Sequence, residues 1–369
     1  MLKRKIICML CVMCYVISGC SDQNLLENMS LTLILGLDLD KQDRLQVYVV
    51  SPVFTKEAKV KEEVTHIKSW TLRNSREKLD EQVMGKIVGS KTQLILVGNR
   101  LLHKKHWGRY LDSLYRDPKN SVNARVIGVD GSVAKILHYH SKNKPRLSVY
   151  LTKLLDTAHQ RNNTVNITLQ NLKSQTFEKG ITPSIARIKQ FNIPQIQGAM
   201  LLDSDQRKSL FISSLETKLL NILKNKHNGD LSLPCSLSSK SLYSMENSVH
   251  VSIQNMHTNT KVYYNNNFHF KIVLSCRVMI TEFSPSFSMK KNPAFLKKEI
   301  EHAIEKQLYA FIQKIQQNKL DPIGYGVYAR AYEYPQWEKV GEHWEDAFAK
   351  SKIKIKAHVK IIGMGPTQA

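Results

Sequence analysis

Beyond its first twenty residues the chain opens on strict alternation. Leu31, Leu33, Leu35, Leu37 and Leu39 alternate with Thr32, Ile34, Gly36 and Asp38, a period of two that marks a β-strand. Lys41-Gln42-Asp43 interrupts the run and Leu45, Val47 and Val49 resume it, which reads as a hairpin. Val64 to Leu72 is a third strand, and Asn74 or Ser75 is placed to cap a helix with Leu79, Val83 and Ile87 on one face. The apolar run Leu94 to Val97 predicts a strand covered on both faces. Trp107, Tyr110, Leu111 and Leu114 share a helical face that Asp117-Pro118 ends, and Val126 to Val129 is a short strand before the turn Asp130-Gly131. Helical spacing returns over Ser148 to His159 and Thr164 to Ser174.

Phe191-Asn192-Ile193-Pro194 reads as a connector. After it, Ile196 to Leu202 and Ser209 to Ser213 pair around Asp203-Ser204-Asp205, a helix spans Leu215 to Leu223, and Asn228-Gly229-Asp230 opens another strand. Phe268 to Ile280 alternates without a break and predicts a long strand, paired with Val249, Val251 and Ile253 across a polar loop, Thr258 to Asn267. Asn292-Pro293 starts a helix whose buried stripe is Leu296, Ile300, Ile304, Leu308, Phe311 and Ile315. A second helix carries Trp337, Val340, Trp344 and Phe348. Last comes a strand in which Ile353, Ile355, Ala357, Val359 and Ile361 alternate with Lys352, Lys354, Lys356, His358 and Lys360. Strands and helices mix without a regular β-α-β order, so the expected class is α+β, with mixed or largely antiparallel sheets packed with helices. Length suggests two or three domains, and the blocks of strands and helices along the chain divide it as 20–192, 193–243 and 244–369.

Residues 1–19 have a different character. Lys3, Arg4 and Lys5 precede an uncharged run from Ile6 to Ile17, too short to span a bilayer and shaped like an export signal. Ile17-Ser18-Gly19-Cys20 has the form of a bacterial lipobox. The expectation is cleavage before Cys20 and a covalent diacylglycerol on its sulfur, with room for an N-acyl chain such as palmitate on the new amino terminus. Two or more chains hold a protein firmly at a membrane where one holds it only marginally. An ordinary signal peptide followed by a cysteine is the blander reading.

Composition sharpens this picture. Hydrophobic residues make up 42% of the chain, with only 16 glycines and 11 prolines, as in a folded body. Of six cysteines, Cys8, Cys11 and Cys14 would leave with the leader; Cys235 and Cys276 remain, as two buried thiols or as one disulfide. The formal charge is +23, which favours anionic partners, and export turns that preference from nucleic acid toward acidic phospholipid or wall polymers. The lysine-bearing face of the last strand is either a stripe for phospholipid headgroups or an acidic partner surface, or a solvated strand face on which lysines discourage edge pairing.

No catalytic signature emerges. His103 with His106, and His138 with His140, each supply two metal ligands without a third at suitable spacing. Asp38, Asp40 and Asp43 cluster in a turn that lacks calcium-loop spacing. Gly324-Tyr325-Gly326 is too short to cradle phosphate, and Trp337 and Trp344 at helical spacing read as core. The expectation is no enzyme, no metal and no cofactor beyond the acyl groups on Cys20.

A family resemblance accumulates along the whole chain. It rests on Ile17-Ser18-Gly19-Cys20 followed by Asp22, on Gly36 and Asp38, on Arg116-Asp117, on Ala134-Lys135-Ile136-Leu137 and on Gln197-Gly198-Ala199. The closing series Asp321-Pro322-Ile323-Gly324-Tyr325-Gly326, Trp337, Trp344 and Gly363 completes it. The chain resembles the Ger(x)C family, the lipoprotein C subunit of nutrient germinant receptors of spore-forming bacteria, and departs from it at Ser21 and at Asp203-Ser204-Asp205-Gln206. The resemblance implies three α+β domains and a non-enzymatic role in the germination response. It also implies attachment through Cys20 to the outer face of the spore inner membrane, beside integral membrane A and B subunits. The alternative is a lipid-anchored extracytoplasmic binding protein for a small solute or wall fragment.

Overall fold

A computed structural model describes residues 29–83, 85–139, 143–226, 228–237, 248–283 and 293–364. The first half supplies β1 (Met29–Leu31), β2 (Ile34–Leu39), β3 (Leu45–Pro52), β4 (Glu62–Ser69), β5 (Lys86–Val88), β6 (Leu94–Val97) and β7 (Arg125–Asp130). β8 (Ser184–Gln190), β9 (Pro194–Leu202) and β10 (Lys208–Ile212) follow. Eight of these form one sheet in the order β10-β9-β8-β7-β6-β2-β3-β4, while β1 and β5 pair separately. β2, β6, β7 and β8 run parallel, and antiparallel hairpins flank them on both sides. This is the α+β class expected from the sequence.

Helices cover both faces of the parallel centre, so the alternation in β2 does not separate core from solvent. Ile34 is as fully buried as Leu37. Gly36 is required there: a Cβ would lie 2.7 Å from Val133 Cγ1 and 2.9 Å from Leu137 Cδ1, on the short helix Val133–Leu137 packed over the strand. The helix after β4 spans Leu72–Asp80 and is capped by Thr71, whose hydroxyl accepts from Asn74 N at 3.1 Å. It is not capped by Asn74 or Ser75, and Ile87 lies beyond it in β5.

β8 has no counterpart in the sequence reading. Ile185 faces one core while Ala186 and Ile188 face the other, so no alternation of apolar and polar residues marks it. Because β8 pairs with β9, the connector Phe191-Asn192-Ile193 is a hairpin turn. The block 193–243 has no sheet of its own among the described residues: β9 and β10 extend the first sheet, and β11 (Leu231–Ser236) joins the second. Three short strands and one helix lack a second layer to bury. Met200 and Leu202 accordingly face the first core, while Ala199, Leu201 and Ile212 join the second.

The second sheet has the order β11-β12-β13-β14, with β12 at Ser248–Asn265, β13 at Asn267–Phe283 and β14 at Lys352–Gly363. The expected polar loop after Thr258 is strand, since β12 continues to a tight turn at Asn266, φ 58°. One face of the sheet receives the 25-residue helix Pro293–Gln317 through Leu296, Ile300, Ile304, Leu308, Phe311 and Ile315. The tryptophan segment is broken rather than one helix: Tyr334–Trp337, a 3-10 turn Gly341–His343, then Trp344–Lys350. Trp337 fills the place of a side chain at Gly341, where a Cβ would lie 2.9 Å from its ring.

Candidate functional site

A cleft of about 840 Å³ opens in the first half, between the helix Leu72–Asp80, β5 and the segment 112–120. Its floor is apolar, with Leu35, Val47, Val49, Leu79 and Ile87. Its rim is ionic and paired internally. Arg76 donates to Asp117 at 2.7 Å and to Asn120 Oδ1 at 2.9 Å, and Arg116 pairs with Asp112 at 2.5 Å. The Arg76 hydrogen bond holds the Asp117 carboxyl below its usual range. One buried donor there, Asn120 Nδ2, has no protein partner. An apolar floor with fixed polar groups at its mouth suits binding rather than bond-making.

A second polar cluster joins the two halves. Fully buried Asp321 accepts from Gly324 N, Gly326 N and Trp344 Nε1, each at 2.9 Å. Burial pushes its carboxyl above the usual range while the three donors act in the opposite direction. Its backbone pairs with the first half, Asp321 N donating to Thr182 Oγ1 at 2.7 Å and Thr182 N donating to Asp321 O at 2.8 Å. Alongside, Gly180 and Gly326 touch backbone to backbone: a Cβ on Gly326 would sit 2.5 Å from Gly180 Cα. Arg330 forks onto Glu178 at 2.8 and 2.7 Å. Gly324-Tyr325-Gly326 thus spends its N–H groups on Asp321, which accounts for the motif without a phosphate.

Lys224 closes this junction from beneath, donating to Pro322 O at 2.7 Å. Burial lowers its pKa from 10.5 to about 8. Between those values the unfolded chain holds a proton that the folded chain has released, so this group makes stability rise with pH from about 8 to about 10. Lys224→Met is expected to remove that rise. Melting curves of parent and variant across this window check it, parallel pH profiles being the contrary result.

Other residues singled out in the sequence have local structural roles. Asp38 accepts from Leu39 N at 2.9 Å and Leu101 N at 3.3 Å, capping the short helix Asn99–Leu102. Asp40 closes the β2–β3 turn on Gln42 N and Arg44 N, both at 2.9 Å, and Asp43 pairs with Lys104 at 2.5 Å. The His103 and His138 rings contact the carbonyls of Asn99 and Ala134, and His106 lies 3.9 Å from Asp205; His140 is outside the described residues. No group of three or more His, Cys, Asp or Glu among the described residues is placed to hold a metal ion. Cys235 and Cys276 are free thiols, and burial pushes them to about 12 and about 11. Cys20 and the leader lie outside the described residues.

The junction residues Glu178, Gly180, Thr182 and Lys224 escaped sequence reasoning because they sit in loops or at a helix end, where no period marks them. The motif residues Asp321 and Trp344, by contrast, were legible.

Comparison with known proteins places the molecule. Residues 22–190 match the spore germination protein N-terminal domain, and residues 197–365 match the spore germination B3/GerAC-like C-terminal domain. The chain belongs to the GerAC-like spore germination family. A crystal structure of the GerBC protein shares its fold, with a TM-score of 0.57 at 17% identity over 89% of this chain and 96% of that one. No curated protein sequence matches it. Within the GerAC-like framework the resemblance residues have physical roles: Gly36 admits a helix, Asp38 caps one, Gly198 shapes a bulge, and Asp321 ties the halves together. No described helix is long and apolar enough to cross a membrane.

Proposed function

We propose that this GerAC-like protein is the lipid-anchored C subunit of a nutrient germinant receptor, held by a diacylglycerol on Cys20 to the outer face of the spore inner membrane. The observation that carries the reading is the paired match to spore germination domains, which begins two residues after the lipobox cysteine. Anchoring confines the body to the plane of the integral A and B subunits and raises its effective concentration beside them. Its work is assembly, not catalysis. Cys20→Ala is expected to leave the fold intact, move the protein out of the membrane fraction and weaken the response of spores to nutrient. An unchanged membrane fraction together with an unchanged response would refute it.

The cleft floored by Leu35, Val47 and Val49 favours a second reading, an anchored binding protein for a small solute or wall fragment. Calorimetry on the chain from Ser21 separates the two, since saturable binding of a single nutrient by the isolated protein supports the second.

A further inference from the structure

The sequence shows a lysine ladder on one strand; the structure turns it into a field. On the face of the second sheet opposite the long helix, β12, β13 and β14 stand in register, and five successive rungs cross all three. One rung is Lys261, Lys271 and Lys354; another ends in Arg277 and Lys360. A third ends in His269 and Lys352, a fourth in Val273 and Lys356, and a fifth joins His257 to His358 through Ser275. None of these rungs contains Asp or Glu.

Adjacent strands lie ~4.8 Å apart, so like charges directly opposite one another oppose sheet formation. Glutamates between them would relieve this, and these five rungs contain none. Lys261, Lys271, Arg277, Lys352, Lys354 and Lys360 are exposed and make no ion pair among the described residues, while Lys356 leans to Glu305 at 3.3 Å. The outer edge of β14 is partly closed as well. Glu305 accepts from Ala357 N and Glu301 from Val359 N, both at 2.9 Å, so the middle of that edge is already paired and is a poor place for a further strand. A second copy is repelled by like charge. Charge complementarity over five rungs favours a broad anionic surface that meets the sheet face on.

We infer that this open face of β12–β14 seats the protein on a bilayer rich in anionic phospholipid. The inference deepens the proposed anchoring by naming the side of the body that meets the headgroups. From Lys352 to Lys360 the contact runs roughly 26 Å. Such attraction fades within a Debye length, about 8 Å at physiological salt, so the face acts at direct contact, and a tether at Cys20 strengthens the contact by keeping the body near the bilayer.

The test uses the chain from residue 20 carrying Cys20→Ala, which has no acyl group, so its outcome is independent of whether Cys20 is acylated in the cell. Cosedimentation is measured with vesicles of phosphatidylglycerol and phosphatidylcholine, and with phosphatidylcholine alone. Binding is expected only to the anionic vesicles, weakening steeply with added salt. Lys271→Glu, Lys354→Glu and Lys360→Glu combined should weaken it at least ~10-fold. A control with the same net charge, Lys56→Glu, Lys59→Glu and Lys61→Glu, should bind nearly as the parent does. Equal loss in both triple variants, absence of binding to anionic vesicles, or binding to heparin without binding to vesicles would each overturn the inference. Melting temperatures of both variants exclude unfolding as the cause.

Discussion

Asp321→Ala is expected to destabilise the protein by at least about 3 kcal/mol, because it leaves Gly324 N, Gly326 N and Trp344 Nε1 buried without an acceptor. An unsatisfied buried donor costs ~1–3 kcal/mol, against ~5–15 kcal/mol of stability for a typical domain. Asp321→Asn keeps one acceptor but turns an amide NH₂ toward the same donors, so it should fall between parent and alanine. Urea unfolding measures both. The alanine variant should also lose cooperativity, since the turn built on Asp321 bonds to Thr182 of the first half. Two separated transitions are expected in place of one. A loss under about 1 kcal/mol with a single transition would show that water replaces the carboxylate without consequence.

Gly198→Ala should be the most damaging alanine substitution at a glycine. Gly198 has φ +68°, and a Cβ would lie 1.9 Å from Ile212 O and 2.7 Å from Ser213 C, both backbone. Its carbonyl also accepts from Thr164 Oγ1 at 2.7 Å, which fixes the peptide from the other side. The left-handed conformation alone costs an alanine ~1–2 kcal/mol; the collision must in addition push β10 away from β9. Little folded protein is expected. Gly131→Ala is the matched control, with φ +135° and no atom within 4 Å of its Cβ, so it carries backbone strain without collision. Soluble yield and melting temperature compare the pair, and equal behaviour would show that strain rather than crowding governs Gly198.

What the sequence disclosed followed physical reach. The β2–β3 hairpin, β6, the long β13, the helix Pro293–Gln317 and the alternation of β14 were legible because each carries its signal inside one short window, as an apolar run or a single period. β8 was not, because Ile185 turns to one core and Ala186 and Ile188 to the other, and Ser184, Ala186 and Lys189 carry little apolar signal. The broken tryptophan segment was misjudged because Trp337 and Trp344 reach the core from separate short helices bent at Gly341, and helical spacing cannot distinguish that from one helix. Of the candidate sites, Cys20 and the β14 lysines were visible locally. The rungs that align Lys261 and Lys271 with Lys354, and the cleft below Arg76, depend on strand pairing and long-range packing, which no window of sequence contains.

The β8–β9 hairpin has a consequence for how the protein can be divided. The two spore germination domains meet between residues 190 and 197, inside that hairpin. Cutting there would strip two strands from the eight-stranded sheet and leave β8 as a raw border able to recruit any passing chain. The released half would begin on an orphaned ribbon whose Met200 and Leu202 belong to the other core. Family resemblance divides this molecule into two modules, but mechanically it is a single garment whose sleeve was knitted with the opposite shoulder.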